Sequence, residues 1–114
     1  MFEGAYYLAG YAVECALKSC IAKLTNQHDF PRDRQFTQDC YTHDIEKLVK
    51  TAGLKQLQQD DVDADQQLEL NWAIAKDWDE SARYDRNTQT AAEELIKAII
   101  DPDHGVLQWI KQRW

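Results

Sequence analysis

One acidic residue, Glu14, directly follows the most apolar stretch of the chain, in which residues 5–13 are almost entirely hydrophobic. A carboxylate buried in such a segment must be paired, or it takes up a proton and becomes neutral. Lys18 follows one helical turn later, and His43 and Arg83 are further candidate partners at the ends of neighbouring predicted helices. We expect Glu14 to belong either to a structural polar network that fixes helix register or to a ligand site at one end of a helical bundle.

Arg83 and Tyr84 follow Trp78 closely in sequence and form a second group of residues that could bind a ligand. A guanidinium can hold a phosphate or carboxylate through two parallel hydrogen bonds, and aromatic rings can stack on a base. The alternative is that Arg83 caps the carbonyl groups of the preceding helix or pairs with Glu14. The ligand-binding residues that we expect from the sequence are Glu14, Lys18, His43, Arg83 and Tyr84.

The remaining histidines and cysteines form no metal-binding or catalytic pattern. His28 and His104 have no obvious partners and are expected to be solvated loop residues. Cys15 and Cys20 lie roughly 140° apart around a helix, which suits small core residues better than a shared metal. The sequence contains no Gly-rich phosphate loop, paired-cysteine zinc pattern or nucleophile elbow. We therefore expect no metal and no cofactor, and this absence argues against a familiar enzyme.

Helical signals account for most of the chain and predict five helical segments. Apolar residues at three- and four-residue steps define the first helix, with Gly10 on its inner face for a close approach between helices. Residues typical of helix caps and helix breaks mark the ends of the other predicted helices. The predicted helices cover about 2–24, 42 to Gly53, 65–81, Thr90 to Asp101 and 105–113, with a polar connection over 25–41. This pattern predicts an all-α fold, an up-down four-helix bundle with a short C-terminal fifth helix, in a single domain over residues 1–114.

The composition of the chain is acidic, with a formal net charge of −7. A protein that grips nucleic acid usually carries a basic face, but here nine acidic residues fall between residues 60 and 85 against two basic ones. The first fifty residues are nearly balanced, with seven acidic and six basic, and could still meet a phosphate. Three cysteines without a secretory signal indicate reduced thiols in the cytoplasm, and the apolar run before Glu14 is too short for a membrane span, which needs ~20 residues.

The segment from Tyr7 to Lys18, YLAGYAVECALK, resembles the first helix of small prokaryotic HEPN domains. Later pieces follow in the order that this family shows, so that the resemblance spans nearly the whole chain. These pieces are THDI at 42–45 with Leu48, AGL at 52–54, Trp78, RY at 83–84 and GVLQWI at 105–110. The resemblance implies a helical bundle that often dimerises, an association with nucleotide or RNA binding, and frequent pairing with a small nucleotidyltransferase-like protein in toxin–antitoxin-like pairs.

Catalytic members of that family are ribonucleases in which an Arg is followed by four to six residues and then a His. This chain lacks the motif, because no His follows Arg83 or Arg86 at that spacing and no Arg precedes any of its three His residues at that spacing. We therefore expect a non-catalytic HEPN-like module that binds a nucleotide, RNA or a protein partner and forms a homodimer through helices one and four or the C-terminal piece. The alternatives are a purely structural dimerisation or interaction protein and a ribonuclease with an atypical site, such as His43 with Arg83.

Overall fold

The computed structural model describes residues 2–28, 41–78 and 89–114, with side chains from residue 4 to residue 24 in the first range. Within these ranges the structure is helical and has no β-strand, which confirms the all-α prediction. The helices are α1 (Phe2–His28), α2 (Ile45–Thr51), α3 (Lys55–Ala64), α4 (Gln66–Lys76), α5 (Gln89–Ile100) and α6 (Val106–Lys111). None of them is both long enough and apolar enough to cross a membrane.

The first helix, α1, supplies the largest part of the hydrophobic core. It packs against α2, α5 and α6, while α4 contacts α2, α3, α5 and α6, so that α5 lies against both α1 and α4. Several large side chains at the centre of this packing are almost completely buried, among them Leu17, Ile45, Leu48, Leu95 and Ile110. Because these apolar side chains come from four different helices, the core holds the described helices together as one body.

The helix boundaries agree with the capping chemistry of the chain at both ends of α2. Asp44 is the N-cap, and its side chain accepts a hydrogen bond from the Lys47 backbone N–H at 3.2 Å. The helix therefore begins three residues after the predicted start at Thr42. Gly53 has a φ of 74°, the left-handed conformation in which a C′ glycine ends a helix, as predicted.

Four other features of the helices differ from the prediction, and the first is that α4 ends at Lys76 rather than near residue 81. The helix α3 was not predicted, because Gln58 is its only buried residue and it lacks an apolar stripe. The first helix continues to His28, which places the backbone of this residue in a helix rather than in the predicted loop. Thr90 lies inside α5 and so is not its N-cap, and Glu93 accepts a hydrogen bond from the Gln89 side chain at 2.8 Å instead.

The close approach predicted at Gly10 is made by one side chain rather than by a neighbouring helix. Trp78, two residues beyond the end of α4, lays its indole ring against Gly10, where a Cβ atom would overlap the ring. The same indole lies 6.1 Å from the ring of Tyr7 on α1, centroid to centroid. Trp78 is only 3% exposed and so joins the end of α4 to α1.

His104 was predicted to be solvated and without a partner. In the structure it forms hydrogen bonds that connect the turn between α5 and α6 to α4. Its Nδ1 lies 2.7 Å from Oδ2 of Asp65, the N-cap residue of α4, and its carbonyl oxygen accepts a hydrogen bond from Asn71 at 2.8 Å. Asp101 accepts hydrogen bonds from the backbone N–H groups of Asp103 and His104. The prediction failed because Asp65 and His104 are 39 residues apart in sequence.

The pair of Asp65 and His104 should make stability depend on pH. The hydrogen bond that His104 donates to Asp65 raises the pKa of His104, and the same bond, with one donated by the Leu68 backbone N–H, lowers the pKa of Asp65. The stabilisation is thus lost as pH rises through the raised pKa of His104, and as pH falls through the lowered pKa of Asp65. It is fully present from about pH 4 to about pH 6.5, between the ordinary values of the two groups.

We expect the urea midpoint of the parent chain to fall relative to that of His104→Gln as pH rises from 6 to 9. Asp65→Asn is the matched control, because it keeps an oxygen for the Leu68 N–H while it removes the carboxylate charge. Its urea midpoint should lack the same alkaline decline. If the urea midpoints of the parent and of His104→Gln changed in parallel above pH 6, the contact between Asp65 and His104 would not make the stability depend on pH.

Candidate functional site

The carboxylate of Glu14 is buried inside the helical core, with only 1% of the residue exposed. Its Oε1 accepts a hydrogen bond from Lys18 Nζ at 2.9 Å and lies 2.7 Å from His43 Nδ1. A carboxylate can only accept hydrogen bonds, so Nδ1 of His43 is the protonated nitrogen that faces it. Glu14 thus joins α1 to the segment that leads into α2, as the sequence predicted for its pairing with Lys18 and His43.

The two hydrogen-bonding partners of Glu14 differ from it in their access to solvent. The side chain of Lys18 is 34% exposed and that of His43 is 49% exposed. A buried acceptor therefore holds two side chains that still reach the surface. This arrangement fixes the positions of an ammonium group and an imidazole without removing either from contact with a ligand.

The second oxygen of Glu14 has no hydrogen-bond partner in the part of the chain that the structure describes. A buried carboxylate oxygen without a donor is costly, since its hydration has been lost without replacement. A structural network that only fixed helix register would be expected to satisfy both oxygens. Lys18 and His43 therefore provide hydrogen-bond partners for only one of the two carboxylate oxygens of Glu14.

A cavity of about 510 Å³ opens beside His43, between the start of α2 and the end of α4. Trp78, which packs on α1, forms part of its wall. The titratable residues around it are His43, Asp44, Glu46, Lys76 and Asp77. Three carboxylates thus face one lysine and one histidine, and the cavity is acidic.

Sequence reasoning identified part of this site. Glu14, Lys18 and His43 come together in the structure, whereas Arg83 and Tyr84 lie outside the described residues. The wall residues Asp44, Glu46, Lys76 and Asp77 were not among the predicted site residues. The signal that could have found them is positional, because Asp44 caps α2 next to His43, and Asp77 caps α4 next to Trp78.

An aromatic pair lies on α1, about two to three turns before Lys18. The rings of Tyr7 and Tyr11 are stacked, with centroids 6.0 Å apart and planes at 13°. Tyr11 is 43% exposed, and a hydrogen bond with the Cys15 side chain raises its pKa. The ring of Tyr11 therefore offers a surface on which a flat group could stack.

The two cysteines that the structure describes divide between surface and core. Cys15, predicted to be a small core residue, is exposed, while Cys20 is buried as predicted. Burial raises the pKa of the Cys20 thiol, so this residue behaves as a small apolar side chain. Across residues 4–24, 41–78 and 89–114, no three His, Cys, Asp or Glu side chains lie close enough together to hold a metal ion.

Comparisons with known proteins found no relative of this chain. No protein-family model matches the chain, and no curated protein or solved structure matches it. The resemblance to HEPN domains therefore depends on the sequence segments alone.

Proposed function

We propose that this chain is a non-catalytic HEPN-like module. It binds a protein partner at the site formed by Glu14, Lys18 and His43. In this proposal α1, α2, α4 and α5 are the four helices of an up-down bundle, α6 is the short fifth helix, and α3 is an addition. Arg83 and Tyr84, the other two ligand-binding residues expected from the sequence, lie outside the described residues. The observation that carries the proposal is the buried carboxylate of Glu14, one oxygen of which contacts the partly exposed side chains of Lys18 and His43 while the other has no hydrogen-bond partner.

The energetics of Glu14 support a binding role over a purely structural one. An ion pair that includes a buried carboxylate contributes little net stability, because desolvation of the charge offsets the attraction. An apolar residue at this position would stabilise α1 at least as well. We therefore attribute the carboxylate to its effect on Lys18 and His43, which it holds in fixed positions at the surface.

The charges around the neighbouring cavity favour a protein over a nucleic acid. Asp44, Glu46 and Asp77 outnumber Lys76 and His43 there, and the whole chain carries a net charge of −7. A polyphosphate chain gains its affinity from cationic contacts and is repelled by such a surface. Among protein partners, the resemblance to HEPN domains favours a small nucleotidyltransferase-like protein.

A nucleotide or an RNA end remains the second candidate, because Tyr11 and Lys18 lie two turns apart on one face of α1. The exposed ring of Tyr11 could carry a base while Lys18 and His43 meet a phosphate. This candidate requires that Lys18 leave Glu14 or contact both groups at once.

A homodimer forms part of the same proposal, and an exposed stripe on α1 supports it. Leu8 is 64% exposed, and Tyr11, Ala12 and Cys15 follow it at helical spacing on the surface. This stripe has no charged side chain, so two copies could pair there without repulsion between like charges. Ile100, at the end of α5, is 61% exposed and adds apolar surface. A monomer mass in light scattering at micromolar concentration would contradict the dimer.

The test of the proposed function is co-purification from the native cells with a tagged chain. We expect the parent to retain one partner protein in stoichiometric amount, and Lys18→Met to lose most of it. Lys111→Met is the matched control, because it removes a lysine from α6, away from the site. Equal retention by the parent and by Lys18→Met, or no stoichiometric partner at all, would contradict the proposal.

A thermal-shift panel of nucleoside phosphates and short RNA separates the second candidate from the first. A ligand that binds only the folded chain stabilises it by about 2.7 kcal/mol at a hundredfold excess over its Kd. We expect no stabilisation by these compounds. A concentration-dependent shift that disappears in both Lys18→Met and Arg83→Ala would establish the nucleotide or RNA candidate instead.

A further inference from the structure

The helix α3 is attached to the rest of the molecule with little burial. Seven of its ten residues are exposed, and Gln58 is the only one that is buried. The shorter α2, by contrast, buries Ile45, Leu48 and Val49. The helix α3 packs chiefly against α4 and supplies none of the buried apolar side chains of the core. Because apolar burial provides most of the stability of a helix in a protein, α3 is held less firmly than its neighbours.

The sequence of α3 also gives the helix little stability of its own. Its N-cap residue, Leu54, offers no side-chain hydrogen bond to the first turn. Lys55 lies in the first turn, and Asp61 and Asp63 lie in the last, so these charges oppose the helix dipole at both ends. Two hydrogen bonds between glutamine and aspartate side chains one turn apart stabilise the helix only in part. A helix of this length is marginal in water by itself, so α3 depends on its attachment to the core.

One side chain of α3, that of Asp61, connects this helix to α6 and the residues that follow it. Its Oδ2 accepts a hydrogen bond from Trp109 Nε1 at 2.7 Å and another from Arg113 Nη2 at 3.2 Å. The guanidinium of Arg113 also lies over the ring of Trp109, 3.9 Å from its centroid. Hydrogen bonds to a charged acceptor are stronger than neutral ones, so Asp61 contributes more to the attachment of α3 than the exposed acidic residues of this helix do.

Cavities lie on both sides of α3. One of about 270 Å³ lies between α3 and α4, with Gln58, Val62 and Trp72 in its wall. Another of about 330 Å³ lies between α3 and α6, with Asp61 and Trp109 in its wall. Well-packed interiors leave few such spaces, so a helix with a cavity on either side has few contacts to lose when it moves. The rings of Trp72 and Trp109 meet edge to face with centroids 5.6 Å apart, and both residues are at least 94% buried beside α3.

We infer that α3 is a strap that opens as a unit while the core stays folded, and that its release uncovers the rings of Trp72 and Trp109. The hydrogen bond between Asp61 and Trp109 holds the strap closed. Gly53, with its left-handed φ, and Asp65, in extended conformation between α3 and α4, are the hinges at its two ends. A segment with few buried apolar contacts opens at a lower free energy than the whole fold, which is the physical basis of this device. The strap controls access to an aromatic surface that the closed chain conceals, independently of the partner proposed at Glu14.

Native-state hydrogen exchange of the full chain, followed by NMR, tests the inference. In the parent we expect the backbone N–H groups of α3 to be protected from exchange, but at least about a hundredfold less than those of α5. Asp61→Ala should speed the exchange of the α3 amides by at least about tenfold, because the closed strap loses hydrogen bonds to a charged acceptor. The exchange of the α5 amides should not change. Asp60→Ala is the matched control, since it makes the same substitution on an exposed neighbour, and it should change the exchange of α3 by less than about twofold.

The indole N–H groups test whether the strap covers the tryptophan rings. The Nε1–H of Trp72 has no acceptor among the described residues, so Asp61→Ala breaks none of its hydrogen bonds. Its exchange should nevertheless accelerate by the same factor as that of the α3 amides, because both depend on the opening of the strap. The indole of Trp78 is the control within the same molecule, because it packs against Gly10 on α1, and its exchange should not change.

Four results would overturn the inference. Equal protection of the α3 and α5 amides would mean that α3 opens only when the whole fold opens. Complete lack of protection in α3 would mean that this helix is not docked in the closed chain. Equal effects of Asp61→Ala and Asp60→Ala would mean that the contact with Trp109 does not hold the strap closed. Faster exchange of the α3 amides in Asp61→Ala with no change at the indole of Trp72 would mean that α3 does not cover this ring.

Discussion

Replacing Lys18 by Met together with His43 by Gln is expected to lower the free energy of unfolding by about 3–5 kcal/mol. The reason lies in the residue that remains, because Glu14 would keep a buried carboxylate with neither of its described partners. The replaced side chains are themselves 34% and 49% exposed, so their own burial contributes little to the loss. Urea denaturation of the parent and the double variant measures the difference.

The control for this prediction adds Glu14→Gln to the double variant. The triple variant removes the buried charge along with its partners, and we expect it to recover most of the lost stability. A double variant that is as stable as the parent would mean that Glu14 is satisfied by other groups. A triple variant less stable than the double variant would mean that the carboxylate stabilises the fold by itself.

Gly10→Ala is expected to destabilise the protein by about 1–3 kcal/mol, although alanine is the better helix former. A methyl group at this position would overlap the indole of Trp78, which is held in place between α1 and the end of α4. Either the indole moves and leaves its contact with Tyr7, or α1 shifts away from α4. Thermal unfolding should show the loss as a lower Tm.

Gly4→Ala is the matched control on the same helix. A Cβ atom there meets nothing within 4 Å, so the substitution should add up to about 1 kcal/mol of helix propensity without a clash. The two identical substitutions are thus expected to change Tm in opposite directions. A rise in Tm for both would show that Trp78 does not occupy the surface of Gly10 in solution.

The part of the fold that the sequence predicted depends on signals within a few residues. The apolar stripe of α1, the N-cap Asp44 with α2 and the C′ residue Gly53 are signals of this kind. The helix α3 gives no such signal, because it faces solvent on most sides and buries only Gln58. Its existence follows from its contacts with α4, which a pattern within residues 55–64 does not contain.

The contacts of the candidate site also differ in whether a signal in the sequence predicted them. Glu14 and Lys18 are one helical turn apart, and the pairing with His43 followed from the need of a buried carboxylate for a partner. The pair of Asp65 and His104, by contrast, joins two polar segments whose sequences give no reason to associate. Gly10 presented a similar limit, since its position indicated close packing but not that the indole of Trp78 would fill the space.

The central claim is that Glu14 holds Lys18 and His43 for a partner rather than for the fold. Calorimetric titration of the co-purified partner against the parent and against Glu14→Gln/Lys18→Met/His43→Gln tests it most directly. We predict that the triple variant remains folded, with near-parental stability, and binds the partner at least about a hundredfold more weakly, as expected when charged contacts at the centre of an interface are lost. A folded triple variant that binds the partner with parental affinity would contradict the account and leave these three residues a purely structural role.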